Sequence, residues 1–597
     1  MAELPSDITL CLGVDRSFQG RSWLSKNTED QSVAALKASA GVSDVVARIL
    51  ARRGFTPETA DPFLNPTLKA LMPDPSTLAG MDQSVERLVK AIEADEPIAV
   101  FGDYDVDGAT SSALLIRFFG ALGIKVNSYI PDRMKEGYGP NAQALLGLRE
   151  QGAKVVVTVD CGITAFEPLA AASESGLDII VVDHHKAEAE LPIAAAVVNP
   201  NRLDDSSGQG HLAAVGVTFL VIVALNRALR QSGWYERSKV AEPDLRTWLD
   251  LVALGTVCDV VPLRGLNRAY VNQGLSVMAR GANAGLNALA NAARVDEAPR
   301  AFHLGYLLGP RVNAGGRVGE APLGTRLLAS DDPDEAAALA VRLNEYNAAR
   351  KDIEAAVLVD AIELAESQTD PGAAMVFVSG DDWHPGVIGI VASRLRERYD
   401  LPTCVVAKDG GMAKGSGRSV PGVDLGRAVL AARDAGLLFN GGGHAMAAGF
   451  TVEAERLEDF RLFLSNHIAK QVAQGGIQVA YGIESVISVE AATLGLVRDL
   501  YRLEPFGSGN EEPKVAVAAA RIVQSDIVGN GHVRCILTGE SGGRLKSIAF
   551  NSADSELGYA LLNAQGRPVH LAGHLREDNW QGRSSVQLVV DDGAWAD

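Results

Sequence analysis

The stretch Gly102-Asp103-Tyr104-Asp105-Val106-Asp107-Gly108 places three carboxylates at alternate positions of one short turn. It follows an apolar run, residues 97–101, that predicts a buried strand, and it precedes a segment, residues 108–119, whose apolar spacing predicts a helix. The acids therefore belong at the carboxyl end of a strand, which is where open α/β sheets bind ligands. Clustered carboxylates repel one another unless a cation neutralises them, and Mg²⁺ and Mn²⁺ prefer oxygen ligands of this kind.

The acidic turn has two other interpretations. It is compatible with an ordinary solvated acidic turn, and the pattern DxDxDG resembles the start of an EF-hand calcium loop. An EF-hand needs a Glu at the twelfth loop position and a helix on each side. Leu114 occupies that position and a strand comes first, so the EF-hand interpretation is disfavoured.

Further polar residues follow apolar runs downstream. Asp160 ends the run at residues 154–159, and Asp183-His184-His185 ends the run at residues 178–182. Asp259 follows an apolar helical segment, residues 245–254. A single Asp at a strand end is more often a helix N-cap than a ligand, and paired histidines are more often surface residues. The joint pattern at one edge of one predicted sheet favours a two-metal phosphoesterase.

The ordered motifs DYDVDG, VTVDCG, DHH and GTVCDVVPL resemble those of the DHH phosphoesterases. The run Gly441-Gly442-Gly443-His444-Ala445-Met446-Ala447-Ala448-Gly449 is similar to the glycine-rich signature of the associated DHHA1 domain. Within this superfamily the chain resembles, from about residue 43 onward, the bacterial exonucleases that degrade single-stranded DNA in the 5′→3′ direction. Residues 53–82, 309–317 and 502–510 favour that branch over the smaller members.

The resemblance implies two divalent ions, Mn²⁺ or Mg²⁺, and it implies which residues bind each ion. Asp160 would bridge the ions, Asp105 would bind one of them, with Asp103 completing its shell, and Asp107, His184 and Asp259 would bind the other. Related pyrophosphatases have a His where this chain has Phe101, which makes the role of Asp103 less secure. His185 would be catalytic, donating to the scissile phosphate or to the leaving 3′ oxygen, unless it only orients its neighbours.

A 5′-directed exonuclease must also recognise the end of a strand. Planar arginine forks and backbone N–H groups are suited to a terminal phosphate. The resemblance brings residues of two lobes to this pocket, and the candidates are Arg133, Arg311, Asn313, Arg317, Ser416 and Arg418. Tyr138 is a candidate for stacking on a base, and His444 is expected in a glycine-rich turn that approaches phosphate. The alternatives are a surface arginine at 317 and a packed loop tyrosine at 138.

Composition limits the class of protein. The 597 residues suit several domains, and 47% of them are hydrophobic, which supports large cores. No apolar run predicts a membrane span and no signal peptide is evident, so we expect a cytoplasmic protein. The five scattered cysteines predict neither disulfides nor a zinc site. A net charge of −19 argues against a protein that coats DNA, and by itself it favours a metabolic enzyme.

The predicted fold is α/β with several units. Residues 1–42 look polar and irregular, and 1–96 as a whole form an N-terminal helical cap region. A DHH domain with a parallel sheet spans 97–329, a connecting helix 330–370, an α/β DHHA1 lobe 371–475 and an OB-type β-barrel 476–597. The barrel interleaves cations with aromatic rings, a combination that suits a single-stranded DNA track: Arg534, Lys546, Arg576, Arg583, Phe550 and Trp580.

Three functions compete on these data. The favoured one is a single-strand-specific 5′→3′ DNA exonuclease of repair and recombination, expected to act as a monomer. The resemblance adds single-strand-binding protein and a RecQ-type helicase as expected partners. One rival is a phosphodiesterase for oligoribonucleotides or cyclic dinucleotides, which would need neither the barrel nor the N-terminal region. The other is a non-catalytic replication scaffold, which would be expected to lose metal ligands.

Overall fold

Much of residues 7–42 forms strands and a helix, so the expectation of an irregular segment there was wrong, and residues 1–6 lie outside the described residues. The computed structural model describes residues 7–133, 135–368, 372–475, 480–580 and 583–596. Its first elements are β1 (Ile8–Leu10), β2 (Ser22–Lys26), α1 (Asp30–Ala40), α2 (Asp44–Arg52), α3 (Pro57–Leu64), α4 (Leu68–Leu71) and α5 (Met81–Glu93). Strand β2 pairs with a strand of the far C-terminal unit, and Trp23 on it is fully buried. A partner so distant along the chain leaves no local sequence pattern.

The N-terminal helices divide between two cores. Helices α1 to α3 pack into the core of the C-terminal barrel, for example through Leu36, Ile49 and Leu50. Helix α5 packs instead into the first α/β domain through Met81 and Leu88. The N-terminal region therefore joins the two ends of the molecule rather than capping the first domain alone.

The first α/β domain is built on five parallel strands in the order β4-β3-β5-β6-β7. They are β3 (Ile98–Gly102), β4 (Asn127–Tyr129), β5 (Val155–Val159), β6 (Asp178–Val182) and β7 (Ala196–Val198). Strands β3 and β5 are buried at every residue, as a sheet covered on both faces requires. The strand order reverses between β3 and β5, and such a switch point opens a ligand cleft at the carboxyl edge.

Helices surround this sheet and continue beyond it. They are α6 (Val106–Ala121), α7 (Ala142–Glu150), α8 (Phe166–Glu174), α9 (Ala214–Gln231), α10 (Trp234–Ser238), α11 (Leu249–Cys258), α12 (Gly265–Met278) and α13 (Ala284–Ala292). A π-helix, His303–Leu308, then runs directly into α14 (Gly309–Val318), followed by α15 (Pro322–Ala329). Among the described residues, α9 alone is long and apolar enough to cross a membrane, and 72% of it is buried inside the fold.

A long helix leads to the second lobe. Helix α16 (Pro333–Gln368) packs on α13, α14 and α15 at its start and on the second lobe at its end, as the sequence predicts. That lobe has a mixed sheet in the order β11-β12-β10-β9-β8. Its elements are β8 (Val376–Asp381), α17 (Ile388–Tyr399), β9 (Thr403–Asp409), β10 (Met412–Arg418), α18 (Leu425–Asp434), β11 (Asn440–His444), β12 (Ala447–Glu453) and α19 (Leu457–Gly475).

The C-terminal unit is a closed five-stranded barrel. Strand β13 (Ala480–Gly482) joins the N-terminal strands, and β14 (Ser485–Ile487), α20 (Leu494–Leu500), β15 (Val515–Val528), β16 (His532–Thr538), β17 (Arg544–Ala549), α21 (Glu556–Leu562), β18 (Pro568–Trp580) and β19 (Arg583–Trp595) follow. The barrel closes because β18 pairs with β15 as well as with β19, which confirms the predicted OB-type fold.

Arg268 joins the barrel unit to the first domain. This fully buried side chain of α12 donates to the backbone carbonyls of Phe63, Leu503 and Glu504, and its guanidinium lies 3.8 Å above the Phe63 ring. Asn510 donates to the carbonyls of Leu503 and Pro505 from the other side. The motif at residues 502–510 therefore connects the C-terminal unit to the first α/β domain.

Candidate metal centre

The opening acidic turn is built by helix capping. Asp105 is the N-cap of α6, and its Oδ1 accepts from the N–H groups of Asp107 (2.9 Å) and Gly108 (3.0 Å). A Cβ at Gly108 would lie 2.5 Å from the carbonyl oxygen of Asp103, so only glycine permits this close return of the chain. The turn thereby holds Asp103 and Asp107 on the inner side of the switch point.

Asp107 is fixed by a second helix. Its two carboxylate oxygens accept from the N–H groups of Ala214 (2.6 Å) and Val215 (2.8 Å) at the N-terminus of α9. Burial and the charge of Asp105 nevertheless raise the pKa of Asp107 to about 7. A divalent cation beside Asp107 would lower this pKa and favour the ionised carboxylate.

Three other candidates converge on this point. Asp160 follows β5 in the left-handed region, with φ of 60°, and His184 follows β6. His184 Nε2 lies 3.4 Å from Asp160 Oδ1, 3.6 Å from Asp259 Oδ2 and 4.0 Å from Asp107 Oδ2. The strand ends and the end of α11 thus meet at one edge, as the sequence predicts.

His184 has the tautomer of a neutral metal ligand. Its Nδ1 donates to the carbonyl of Leu212 at 3.0 Å, which leaves the lone pair of Nε2 facing the carboxylates. Burial and the neighbouring His185 lower its pKa to about 4, so the ring stays neutral near pH 7. A neutral imidazole with a free nitrogen is the form that binds a divalent cation.

Four buried polar atoms at this site have no hydrogen-bond partner among the described residues: Asp103 Oδ1, Asp160 Oδ1, His184 Nε2 and Asp259 Oδ2. Burial and mutual repulsion raise the pKa of Asp103 and of Asp160, and that of Asp259 to about 9. Such groups are costly unless a cation neutralises them. The donor set of carboxylates and one imidazole fits Mn²⁺ or Mg²⁺.

Potential ligand atoms form three groups within 4.8 Å: Asp103 with Asp105 and Asp160, Asp107 with His184 and Asp259, and Asp160 with His184 and His185. Asp160 and His184 each belong to two of these groups, and Asp160 is the carboxylate that the groups share. Phe101, at the position where related pyrophosphatases have a His, is fully buried and stacked on Tyr129 at 5.4 Å. Phe101 is therefore a packing residue, and the three ligand groups form without it.

Asp183 has a role that the sequence reasoning missed. Its Oδ1 accepts from the N–H groups of His184 (2.7 Å) and His185 (3.1 Å) and from His185 Nδ1 (2.7 Å), while Oδ2 accepts from the N–H of Ile163 (3.0 Å). Burial opposes its ionisation, but these bonds keep the pKa of Asp183 below its ordinary value. Asp183, the first residue of the DHH motif, thus orients His185, the last. Its position directly before two histidines is the sequence feature that could have identified this role.

His185 lies at the mouth of the site with Tyr138. Burial lowers the pKa of His185, but the bond and charge of Asp183 outweigh it and leave the pKa raised. Its Nε2 is 3.4 Å from the Tyr138 hydroxyl, which also donates to the carbonyl of Asp160 at 3.3 Å. Tyr138 is 54% exposed, so its ring remains accessible in the cleft.

Two predicted arginines flank the acidic turn. The Arg133 guanidinium lies 5.0 Å above the ring of Tyr104, a contact residue that the sequence reasoning did not single out. Arg317 belongs to α14 rather than to a surface loop, and its Nη1 donates to the carbonyl of Gly386 in the second lobe at 2.9 Å. Burial and the charge of Arg133 lower the pKa of Arg317 to about 10. Two cations held close together suit an anionic ligand.

Ser416 and Arg418 lie on β10, beside the first turn of α17. Arg418 Nη1 donates to Ser416 Oγ (3.1 Å) and to the carbonyl of Gly417 (2.8 Å). A Cβ at Gly389 in α17 would lie 3.0 Å from Arg418 Nη2, so the helix N-terminus and the guanidinium are neighbours. The loop before α17 also contains Gly386, through which Arg317 joins this group.

The remaining candidates have different settings. Arg311 donates to Asn344 (3.0 Å) and to the carbonyl of Leu307 (2.6 Å), so it links α14 to α16, and Asn313 is half-buried on α14. His444 is exposed, but it ends strand β11 rather than lying in a glycine-rich turn, because its glycines pair with β12. The pairing is a local hairpin, in which His444 lies opposite Ala447 and two residues separate the strands.

The barrel cations are engaged in ion pairs. Arg534 pairs with Asp526 (3.1 Å), Lys546 with Asp578 (3.0 Å) and Arg576 with Glu512 (2.6 Å). Phe550 is 49% exposed, whereas the side chains of Trp580 and Arg583 lie outside the described part of the chain. The barrel track is thus less positive than its sequence suggests.

Three protein families match the chain in the predicted order. They are the DHH family N-terminal domain at residues 97–256, the DHHA1 domain at 370–470 and the RecJ OB domain at 483–592. The chain is 35% identical over 580 residues to the single-stranded-DNA-specific exonuclease RecJ of Bacillus subtilis, covering 96% of this chain and 70% of that one. It is 36% identical over 561 residues to the enzyme of that name from Dickeya dadantii, covering 92% and 95%.

Solved structures agree with these matches. RecJ from Thermus thermophilus in complex with Mn²⁺ superimposes with a TM-score of 0.79 at 31% identity, covering 95% of this chain and 78% of that one. An exonuclease RecJ bound to manganese gives a TM-score of 0.56 at 34% identity, covering 68% and 99%. The predicted fold and the predicted cofactor class are therefore confirmed.

Proposed function

Because the chain belongs to the RecJ family of single-stranded-DNA-specific exonucleases, we propose that it hydrolyses single-stranded DNA from the 5′ end with two divalent cations. The ligands proposed for them are Asp103, Asp105, Asp107, Asp160, His184 and Asp259. The observation that carries this assignment is the convergence of four buried polar atoms without partners at the sheet's switch point. Such atoms are costly to bury together, and bound cations would satisfy all four at once.

The bound ions would activate the attacking water near neutral pH and neutralise the charge that develops on the phosphate. The protein's own groups prepare this chemistry. Asp160 is placed between two ligand groups, and Asp107 is oriented by the N-terminus of α9. Asp183 holds His185 through Nδ1 and raises its pKa, so that Nε2 carries a proton for the leaving 3′ oxygen.

The 5′ terminal phosphate is assigned to the two arginine groups and their neighbours. Arg133 and Arg317 approach the acidic turn, while Ser416 and Arg418 adjoin the N-terminus of α17. A helix N-terminus and a guanidinium fork suit a terminal phosphate dianion better than an internal diester. Arg311, Asn313 and His444 stay secondary candidates, and the guanidinium of Arg311 is already bonded to Asn344 and to the carbonyl of Leu307.

The partners and compartment follow from the family. We propose a cytoplasmic monomer that receives single strands from a RecQ-type helicase and docks to single-strand-binding protein. The rival small-substrate phosphodiesterase lacks support, because the chain matches full-length RecJ enzymes through the barrel. Hydrolysis of a long single strand should therefore exceed that of a dinucleotide or a duplex.

Asp160→Asn tests the metal assignment. The variant should lose hydrolysis of 5′-phosphorylated single strands and bind less Mn²⁺, measured by equilibrium dialysis, with an unchanged melting curve in EDTA. Asp250→Asn is the matched control, since Asp250 is a buried aspartate of α11 whose Oδ1 accepts from the N–H of Leu251. It should retain turnover and metal content. Normal turnover and normal Mn²⁺ content in Asp160→Asn would contradict the proposal.

A further inference from the structure

Two stacked aromatic rings are exposed beside the metal centre. Phe302 and Tyr306 have ring centroids 5.1 Å apart and an interplanar angle of 25°, and they are 55% and 72% exposed. They lie at the start of the π-helix that leads into α14. Large aromatic rings that stack on each other in solvent are the form of platform on which a nucleobase stacks.

The pair is held rigidly from below. Leu304 and Leu308 on the same π-helix are buried, and so is His303. His303 Nδ1 accepts from the N–H of Arg300 at 3.0 Å, and its Nε2 lies 3.1 Å from Glu297 Oε1. The outward rings therefore rest on an anchored turn, which reduces the entropy lost when a ligand stacks on them.

The segment that carries the two rings contacts both the metal-site helix and the barrel unit. Cys258 Sγ donates to the carbonyl of Leu304 at 3.4 Å, and Cys258 directly precedes Asp259. The guanidinium of Arg300 lies 4.6 Å above the ring of Tyr501, whose hydroxyl accepts from the N–H of Glu577 in β18. Residues 300–306 therefore connect the end of α11 to the barrel unit.

We propose that Phe302 and Tyr306 form a base-stacking platform for the single strand between the barrel and the metal centre. This inference rests on the proposed exonuclease function. The chain has a net charge of −19, and three of the described barrel cations, Arg534, Lys546 and Arg576, are paired with carboxylates. Stacking would supply affinity that needs no positive charge and tolerates any base.

The first test measures affinity against salt. The double variant Phe302→Ala/Tyr306→Ala should weaken binding of a long single strand in EDTA by about tenfold, as expected for a lost base stack. The slope of log affinity against log salt should stay unchanged, because no phosphate contact is removed. Tyr559→Ala is the matched control, with a tyrosine 71% exposed on α21, and it should bind like the wild type. The single variant Tyr306→Trp should bind like the wild type, because it keeps an aromatic ring at this position.

The second test locates the contact. 2-Aminopurine placed at successive positions from the 5′ end should be quenched at one or two neighbouring positions, and the double variant should lose this quenching. An abasic residue at the same position should weaken wild-type binding and add nothing in the double variant, because the two changes remove one interaction. Additive losses, or quenching that survives, would overturn the platform.

Other outcomes separate the competing explanations. Wild-type protein that does not degrade single strands would refute the proposed function itself. Wild-type activity with a double variant indistinguishable from Tyr559→Ala would refute only the platform. A dimer in sedimentation that the double variant converts to a monomer would make the rings an interface between copies, and it would overturn the inference.

Discussion

Asp183→Asn isolates the residue that orients His185. Asp183 accepts four hydrogen bonds inside the fold, three through Oδ1 and one through Oδ2. An asparagine of the same shape keeps its carbonyl oxygen facing the three donors, but its NH₂ group then faces the N–H of Ile163, which lies 3.0 Å from Oδ2 in the wild type. The asparagine NH₂ and the N–H of Ile163 would then face each other as two donors. The hydrogen bond from His185 Nδ1 would no longer go to a charged carboxylate.

The magnitude follows from these contacts. A buried donor left without an acceptor costs about 1–3 kcal/mol, whereas the lost charge of the His185 pair adds little, because the His185 side chain is 42% exposed. We expect a loss of about 1–3 kcal/mol in the free energy of unfolding of the first domain, or about 5 °C in its Tm. Because the pKa of Asp183 is below its ordinary value, this stabilisation exists above about pH 4 and is lost as the pH falls further.

The same change should slow catalysis without removing metal. We expect kcat to fall about a hundredfold, the order of a lost general acid, with Mn²⁺ stoichiometry unchanged. Single-turnover hydrolysis and equilibrium dialysis measure the two quantities. The double variant Asp183→Asn/His185→Ala should be no slower than His185→Ala, since Asp183 acts through His185. Loss of Mn²⁺ binding, or multiplied losses in the double variant, would refute the reasoning.

Three further predictions concern other parts of the molecule. The raised pKa values of Asp107 (about 7) and Asp259 (about 9) mean that the metal-free native state holds protons that the unfolded chain releases near pH 4. Its stability should fall as the pH rises from about 4 to 9, so Mn²⁺ should raise the Tm more at about pH 8 than at pH 5 in calorimetry; equal increments would contradict this. Arg268→Met should leave the carbonyls of Phe63 and Glu504 without their Arg268 donor, while Leu503 keeps the bond from Asn510, and should destabilise the barrel junction by about 3 kcal/mol, seen as faster limited proteolysis, whereas the exposed neighbour Arg264→Met should not. Arg418→Ala should impair hydrolysis of strands with a 5′ phosphate more than strands with a 5′ hydroxyl, and equal losses would remove Arg418 from end recognition.

The sequence alone determined the parts of this protein that depend on local pattern. Strands such as Ile98–Gly102 and Val155–Val159 are short β-forming runs, apolar except for Thr158, and a polar cluster at the end of each run must lie at one edge of a parallel sheet. The long helix Pro333–Gln368 was predicted by helical spacing without Pro or Gly in its interior. The ordered motifs indicated the family, because their residues are neighbours along the chain.

The tertiary structure alone decided the contacts between residues distant in sequence. Trp23 is buried because β2 pairs with Ala480–Gly482, more than 450 residues further along the chain. The helix dipole at Ala214 that orients Asp107 and the carbonyls that bind Arg268 also come from remote segments. Local sequence records the propensity and polarity of a residue, but not its partner across the fold, since long-range pairing depends on how every element packs around the shared cores.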